Sequence, residues 1–95
     1  MIHTLHVTPD SDLGTLQKEM RKRLMTGGAV IRIAEGVSEL ELQGLLERFL
    51  PEARPFNLAT QVLVEIARSP EISLELRSRL KAANLPEVNQ VLATV

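Results

Sequence analysis

His3 and His6 are the only imidazoles in this 95-residue chain, and both stand in Ile2 to Val7, where side-chain parity alternates. Alternation of this kind predicts a strand, which turns residues of opposite parity to opposite faces. The two histidines therefore cannot hold one metal ion between them. No cysteine is present to complete such a site or to serve as a nucleophile. Either imidazole could move a proton alone, but the nearest acids, Asp10 and Asp12, stand where a following helix needs its cap. Sheet-surface histidines are the expectation.

The carboxylates give no better centre. Glu35, Glu39, Glu41 and Glu47 are close in sequence, yet Glu39 and Glu41 point about 200° apart on a helix. The chain has no Gly-x-Ser-x-Gly elbow, no Gly-x-x-x-x-Gly-Lys loop and no Gly-x-Gly-x-x-Gly fingerprint. Gly27-Gly28 follows a helix and precedes a strand, whereas a phosphate cradle needs its glycines ahead of the helix. No catalytic residue, metal or cofactor is expected, and the chain reads as a non-enzymatic protein.

Charge carries more information. Lys18, Arg21, Lys22, Arg23 and Arg32 face one acid, Glu19, in the stretch 18–32; Glu35, Glu39, Glu41, Glu47 and Glu52 face one base, Arg48, in 35–52. The chain is dipolar although its net charge is only -1. The candidate interaction residues are Lys18, Arg21, Lys22 and Arg32, extended by Arg77 and Lys81. Such a patch could track nucleic-acid phosphates. Neutral overall charge and the lack of aromatics beyond Phe49 and Phe56 weigh against that. A strand followed by a basic helix resembles the opening of ribbon-helix-helix repressors, but Ala29 to Glu35 reads as a strand where their second helix belongs.

These residues must be positioned by one small core. Ninety-five residues, 44% of them hydrophobic and almost all aliphatic, suffice for one domain and no more. The N-terminus has no secretory pattern and no run approaches a membrane span, so a cytoplasmic, non-membrane protein is expected.

The fold class predicted is α+β and mostly helical, in a single domain of residues 1–95. Residues 1–35 form a strand-helix-strand unit: Ile2 to Val7, a helix with Leu13, Leu16, Met20 and Leu24 inward, Gly27-Gly28 as its stop, and Ala29 to Glu35. A helix of that length returns the chain to its start, so the strands should be parallel neighbours. Residues 36–95 hold four short helices. A capping box, Ser38 with Glu41, opens the first, where Leu42, Leu45, Leu46 and Phe49 form a stripe that Pro51 stops. Asn57 caps a central one with Ala59, Val62, Leu63, Ile66 and Ala67 inward and Leu58 and Val64 widening its face. The others begin near Ser73 and Glu87, the last with Val88, Val91, Leu92 and Val95 on one side.

Leu50-Pro51-Glu52, Ser69-Pro70-Glu71 and Leu85-Pro86-Glu87 share helix-start chemistry, proline supplying no amide and the acid facing the positive end of the helix dipole. On these junctions Leu58 to Ala93 is faintly similar to bacterial helical-repeat proteins of the variant leucine-rich or HEAT-like kind. Their spacing is irregular, and convergent use of Pro-Glu to start helices is the better explanation.

Two parallel strands leave two unpaired edges. The function expected by elimination is a non-enzymatic protein-protein interaction module, an adaptor, assembly factor or immunity/inhibitor-type protein, that works through a sheet edge or a helical groove, pairing its edge with a second copy as a homodimer or with a strand of another protein partner. The alternative is a nucleic-acid-associated regulator working through the basic patch on the first helix.

Overall fold

A computed structural model describes residues 2–70 and 72–94. Its elements are β1 (His3–Val7), α1 (Leu13–Leu24), β2 (Ala29–Ile33), α2 (Glu39–Phe49), a 3-10 turn (Leu50–Glu52), α3 (Leu58–Ala67), α4 (Leu74–Ala82) and α5 (Pro86–Ala93). The architecture is α+β and mostly helical, as the sequence predicts. β1 and β2 are parallel, in register from His3 opposite Ala29 to Val7 opposite Ile33.

Local chemistry sets the boundaries. Asp12 accepts the Thr15 amide at 2.7 Å and starts α1. That hydrogen bond, with Arg48 nearby, holds the Asp12 carboxyl below its ordinary range. At α2 the Ser38 hydroxyl accepts the Glu41 amide while the Glu41 carboxylate accepts the Ser38 amide, the reciprocal box read from the sequence. Asn57 caps α3 and Ser73 caps α4. Between α1 and β2 the chain turns through Gly27 and Gly28 at φ of 114° and 96°, which a side chain rarely adopts.

The core lies between the sheet and the helices, with α3 at its centre. Ala59, Val62, Leu63 and Ile66 are fully buried among Leu42, Leu45, Leu46 and Phe49 of α2, Leu76 and Leu80 of α4, and Val88 of α5. Each buried Leu or Ile contributes about 1.5–3 kcal/mol relative to exposure. Val7, Ile31 and Leu16 bring the sheet and α1 into contact with this mass. The opposite face of the sheet is open, with Thr4, His6, Val30 and Arg32 exposed.

Four expectations need correction. β2 ends at Ile33 rather than Glu35, because the chain enters a turn at Glu35-Gly36 with Gly36 at φ 79°. Leu24 does not join the inner stripe of α1: it is 64% exposed, since the last turn of the helix overhangs the core. The three Pro-Glu junctions differ in structure. Pro51 lies in a 3-10 turn, Pro86 starts α5, and Pro70 precedes a helix that begins only at Leu74 behind the Ser73 cap. α5 starts at Pro86, one residue before the expected Glu87. Glu71 and Val95 lie outside the described residues.

Candidate interaction surface

Parallel pairing assigns every backbone group of β2 a direction. The His3 amide donates to the Gly28 carbonyl and the Ala34 amide to the Val7 carbonyl, so Val30 and Arg32 turn their backbone groups toward β1. Ala29, Ile31 and Ile33 turn theirs outward, to the edge where, among the described residues, no strand follows. Their side chains point the other way from those of Val30 and Arg32, down onto the helices; Ile31 is buried and its two neighbours half-buried.

Along this edge runs a groove of two adjoining parts. One, of 340 Å³, lies between the end of β2 with its following turn and the Glu65 to Pro70 stretch; the other, of 320 Å³, lies between Ala29 to Arg32 and the α3 residues Gln61, Val64, Glu65 and Arg68. The helical layer therefore extends past the sheet and forms a ledge beside β2.

Arg32 crosses that ledge. Its side chain leaves β2 on the open face, yet its guanidinium donates to the Ile31 carbonyl at 2.9 Å and to Glu65 Oε1 on α3 at 3.0 Å. It bends round the edge and covers one of the outward carbonyls. Glu65, 11% exposed, also takes Arg68 at 3.3 Å. Sequence reasoning missed Glu65; the available signal was a lone charge among apolar neighbours in Leu58–Ala67.

The six candidate residues divide among three places. Lys18, Arg21 and Lys22 share the outer face of α1, where the described residues offer them no ion pair. Arg32 is held at the β2 edge. Arg77 and Lys81 line a 130 Å³ hollow with Asn89, Leu92 and Ala93 of α5, on a different part of the molecule from α1.

His3 and His6 stand on opposite faces of β1, as alternation requires; His3 Nε2 lies 3.2 Å from the Thr26 hydroxyl. Among the described residues no group of three or more His, Cys, Asp or Glu side chains is placed to hold a metal ion. No helix of the described residues is long and apolar enough to cross a membrane. Comparison with protein-family models, curated proteins and solved structures finds no match.

Proposed function

We propose that this chain is a non-enzymatic protein-interaction module that self-associates through the open edge of β2. The observation that carries this reading is the row of outward backbone groups at Ala29, Ile31 and Ile33 beside a ledge of α3. An unpaired edge of this kind accepts another strand by main-chain hydrogen bonds. A two-stranded sheet gains most from such an addition, because so few strands give marginal stability.

The segment itself favours a second copy as the occupant. Antiparallel pairing about a two-fold axis at Ile31 sets Ala29 opposite Ile33 and Val30 opposite Arg32 of the second copy. Half-buried apolar side chains would then meet on the helix side, and the pairing closes at two subunits. The Arg32 clip stands in the way, but it is an exposed ion pair worth about 0.2–1 kcal/mol, less than the several backbone hydrogen bonds gained.

The absence of cysteine makes a clean test. Val30→Cys and Arg32→Cys proteins, prepared separately and then mixed under oxidising conditions, should form a mixed disulfide between copies. Neither should cross-link efficiently alone, since like positions would lie about 8 Å apart, beyond disulfide reach. Ultracentrifugation of the unmodified protein should show a concentration-dependent dimer. A monomer at every concentration, with no cross-linking in the mixture, would overturn the proposal.

A further inference from the structure

The two ends of the molecule differ in charge, and both expose apolar side chains. β1 and β2 start at one end. There Leu24 and Met25, 64% and 90% exposed, close α1 just before the turn into β2. Ile2 adjoins them, because the His3 amide is bonded to Gly28. The N-terminus of α3 reaches the same end, since Leu58 lines a surface hollow with Met20 and Arg21, and Phe56 just ahead of it is 80% exposed. Arg21 lines that hollow, and Lys18 and Lys22 are exposed on α1 within one turn of it.

The strands finish at the other end, where α2 and α4 begin. Ser73 at the start of α4 donates its amide to the Glu39 carboxylate in the first turn of α2, at 2.6 Å. Leu40 and Leu74, 76% and 81% exposed, flank that bond. Around them stand Glu35, Glu39, Glu41 and Glu75. Six of the seven large apolar side chains that are exposed among the described residues thus sit at the ends, Val30 being the exception.

Helix capping explains part of the charge pattern. Acids favour helix N-termini and bases favour C-termini, and the topology puts the end of α1 opposite the starts of α2 and α4. Capping does not explain why leucine, methionine and phenylalanine project into water at both places. We propose that the basic, apolar end of one copy docks on the acidic, apolar end of a second copy, in a head-to-tail contact separate from the β2 edge. The charges give each end a counterpart that every copy carries. Such a heterologous contact does not close at two subunits; it continues into a ring or an open chain.

The test is run in Ile33→Pro protein, which lacks one outward amide of β2 but keeps the ladder to β1, so that edge pairing is weakened and end contacts remain. Ala29→Pro, which removes another outward amide at the first residue of the strand, serves if the Ile33→Pro variant does not give the circular dichroism of the parent. The weight-average mass should rise with concentration past that of a dimer. It should fall back when salt is raised, with an apparent affinity loss of about ten-fold or more between low and 0.5 M salt. Lys18→Glu/Arg21→Glu/Lys22→Glu should abolish the growth, and so should Leu40→Ser/Leu74→Ser. Mixing the two blocked proteins should restore a one-to-one complex and nothing larger, because each retains one working end.

Each of three assembly results would overturn the proposal: a monomer throughout at low salt, growth unaffected by either set of substitutions, or no complex on mixing. Salt-sensitive binding of duplex DNA that requires Lys18, Arg21 and Lys22, without self-assembly, would likewise overturn it by giving the basic end to nucleic acid. Failure of edge pairing shows separately, as lack of cross-linking between Val30→Cys and Arg32→Cys proteins, and leaves these outcomes unchanged.

Discussion

Arg32 and Glu65 stand 33 positions apart in sequence and meet at 3.0 Å, with the open edge of β2 between their backbones. The pair joins sheet to helix at the place where another strand would have to enter. A charge laid across an edge in this way raises the cost of adding a strand there.

Arg32→Ala should therefore separate stability from association. The Arg32 side chain is 54% exposed and Glu65 keeps Arg68, so screening by solvent limits the loss of stability to under about 1 kcal/mol. The freed Ile31 carbonyl should strengthen dimerisation by about two- to five-fold, the equivalent of about 0.4–1 kcal/mol. Urea titration reads the first effect and sedimentation equilibrium the second. An unchanged dimer constant would mean that the clip does not guard the edge.

Acid should weaken the fold through two caps. Asp12 and Glu41 both have carboxyl pKa values lowered in the folded chain, by the Thr15 amide and the Ser38 amide respectively. A lowered folded pKa contributes stability that is present above the unfolded value, 3.8 for Asp and 4.5 for Glu, and is lost as pH falls through the folded value. Stability should thus be flat on this account above about pH 5 and decline below about pH 4.5. Asp12→Asn/Glu41→Gln should flatten that decline. An equally steep acid limb in the double variant would place its cause elsewhere.

These caps were legible in the sequence because their chemistry is local: Ser38 and Glu41 stand only three positions apart. The strands were legible for the same reason, since alternation in Ile2 to Val7 depends on no distant partner. The charge division was also visible in composition along the chain. The exposed ends were not, because a leucine such as Leu40 or Leu74 reads the same in sequence whether its helix turns it inward or into water. Leu24 shows this most plainly, lying on the right helical spacing but past the reach of the core. Glu65 was hidden for a related reason: its arginine partner comes from a strand that only the tertiary fold brings close.

Thr60 is the one polar residue buried among the described positions. Its hydroxyl donates to the Arg54 carbonyl at 2.6 Å, and its amide donates to Asn57, so it fixes the chain that leads into α3. Thr60→Val keeps the shape and removes that donor, leaving the Arg54 carbonyl only the Asn57 amide at 3.1 Å, and loss of a short, buried hydrogen bond should cost about 1.5 kcal/mol. Thr60→Ser keeps the hydroxyl and removes one methyl, at about 1 kcal/mol. Urea midpoints should fall further for the valine variant than for the serine variant; the reverse order would show that packing of the methyl outweighs the hydrogen bond.

Phe56 couples the Thr60-anchored loop to the basic end. It adopts φ 64°, a left-handed conformation that a bulky side chain disfavours, while its ring is 80% exposed and its amide donates to the Glu87 carboxylate. The backbone there gains little from phenylalanine: asparagine accepts the same conformation more readily, and an exposed ring contributes little burial. Phe56→Asn should accordingly leave the thermal midpoint unchanged or raise it by a few degrees, corresponding to about 1 kcal/mol. In the Ile33→Pro background the same substitution should weaken head-to-tail assembly, because it removes the largest apolar side chain at that end. Calorimetry and sedimentation on one pair of proteins decide the matter. A lower midpoint with assembly intact would make Phe56 a support of the fold, and a steady or higher midpoint with assembly lost would make it a contact kept at the expense of local backbone comfort.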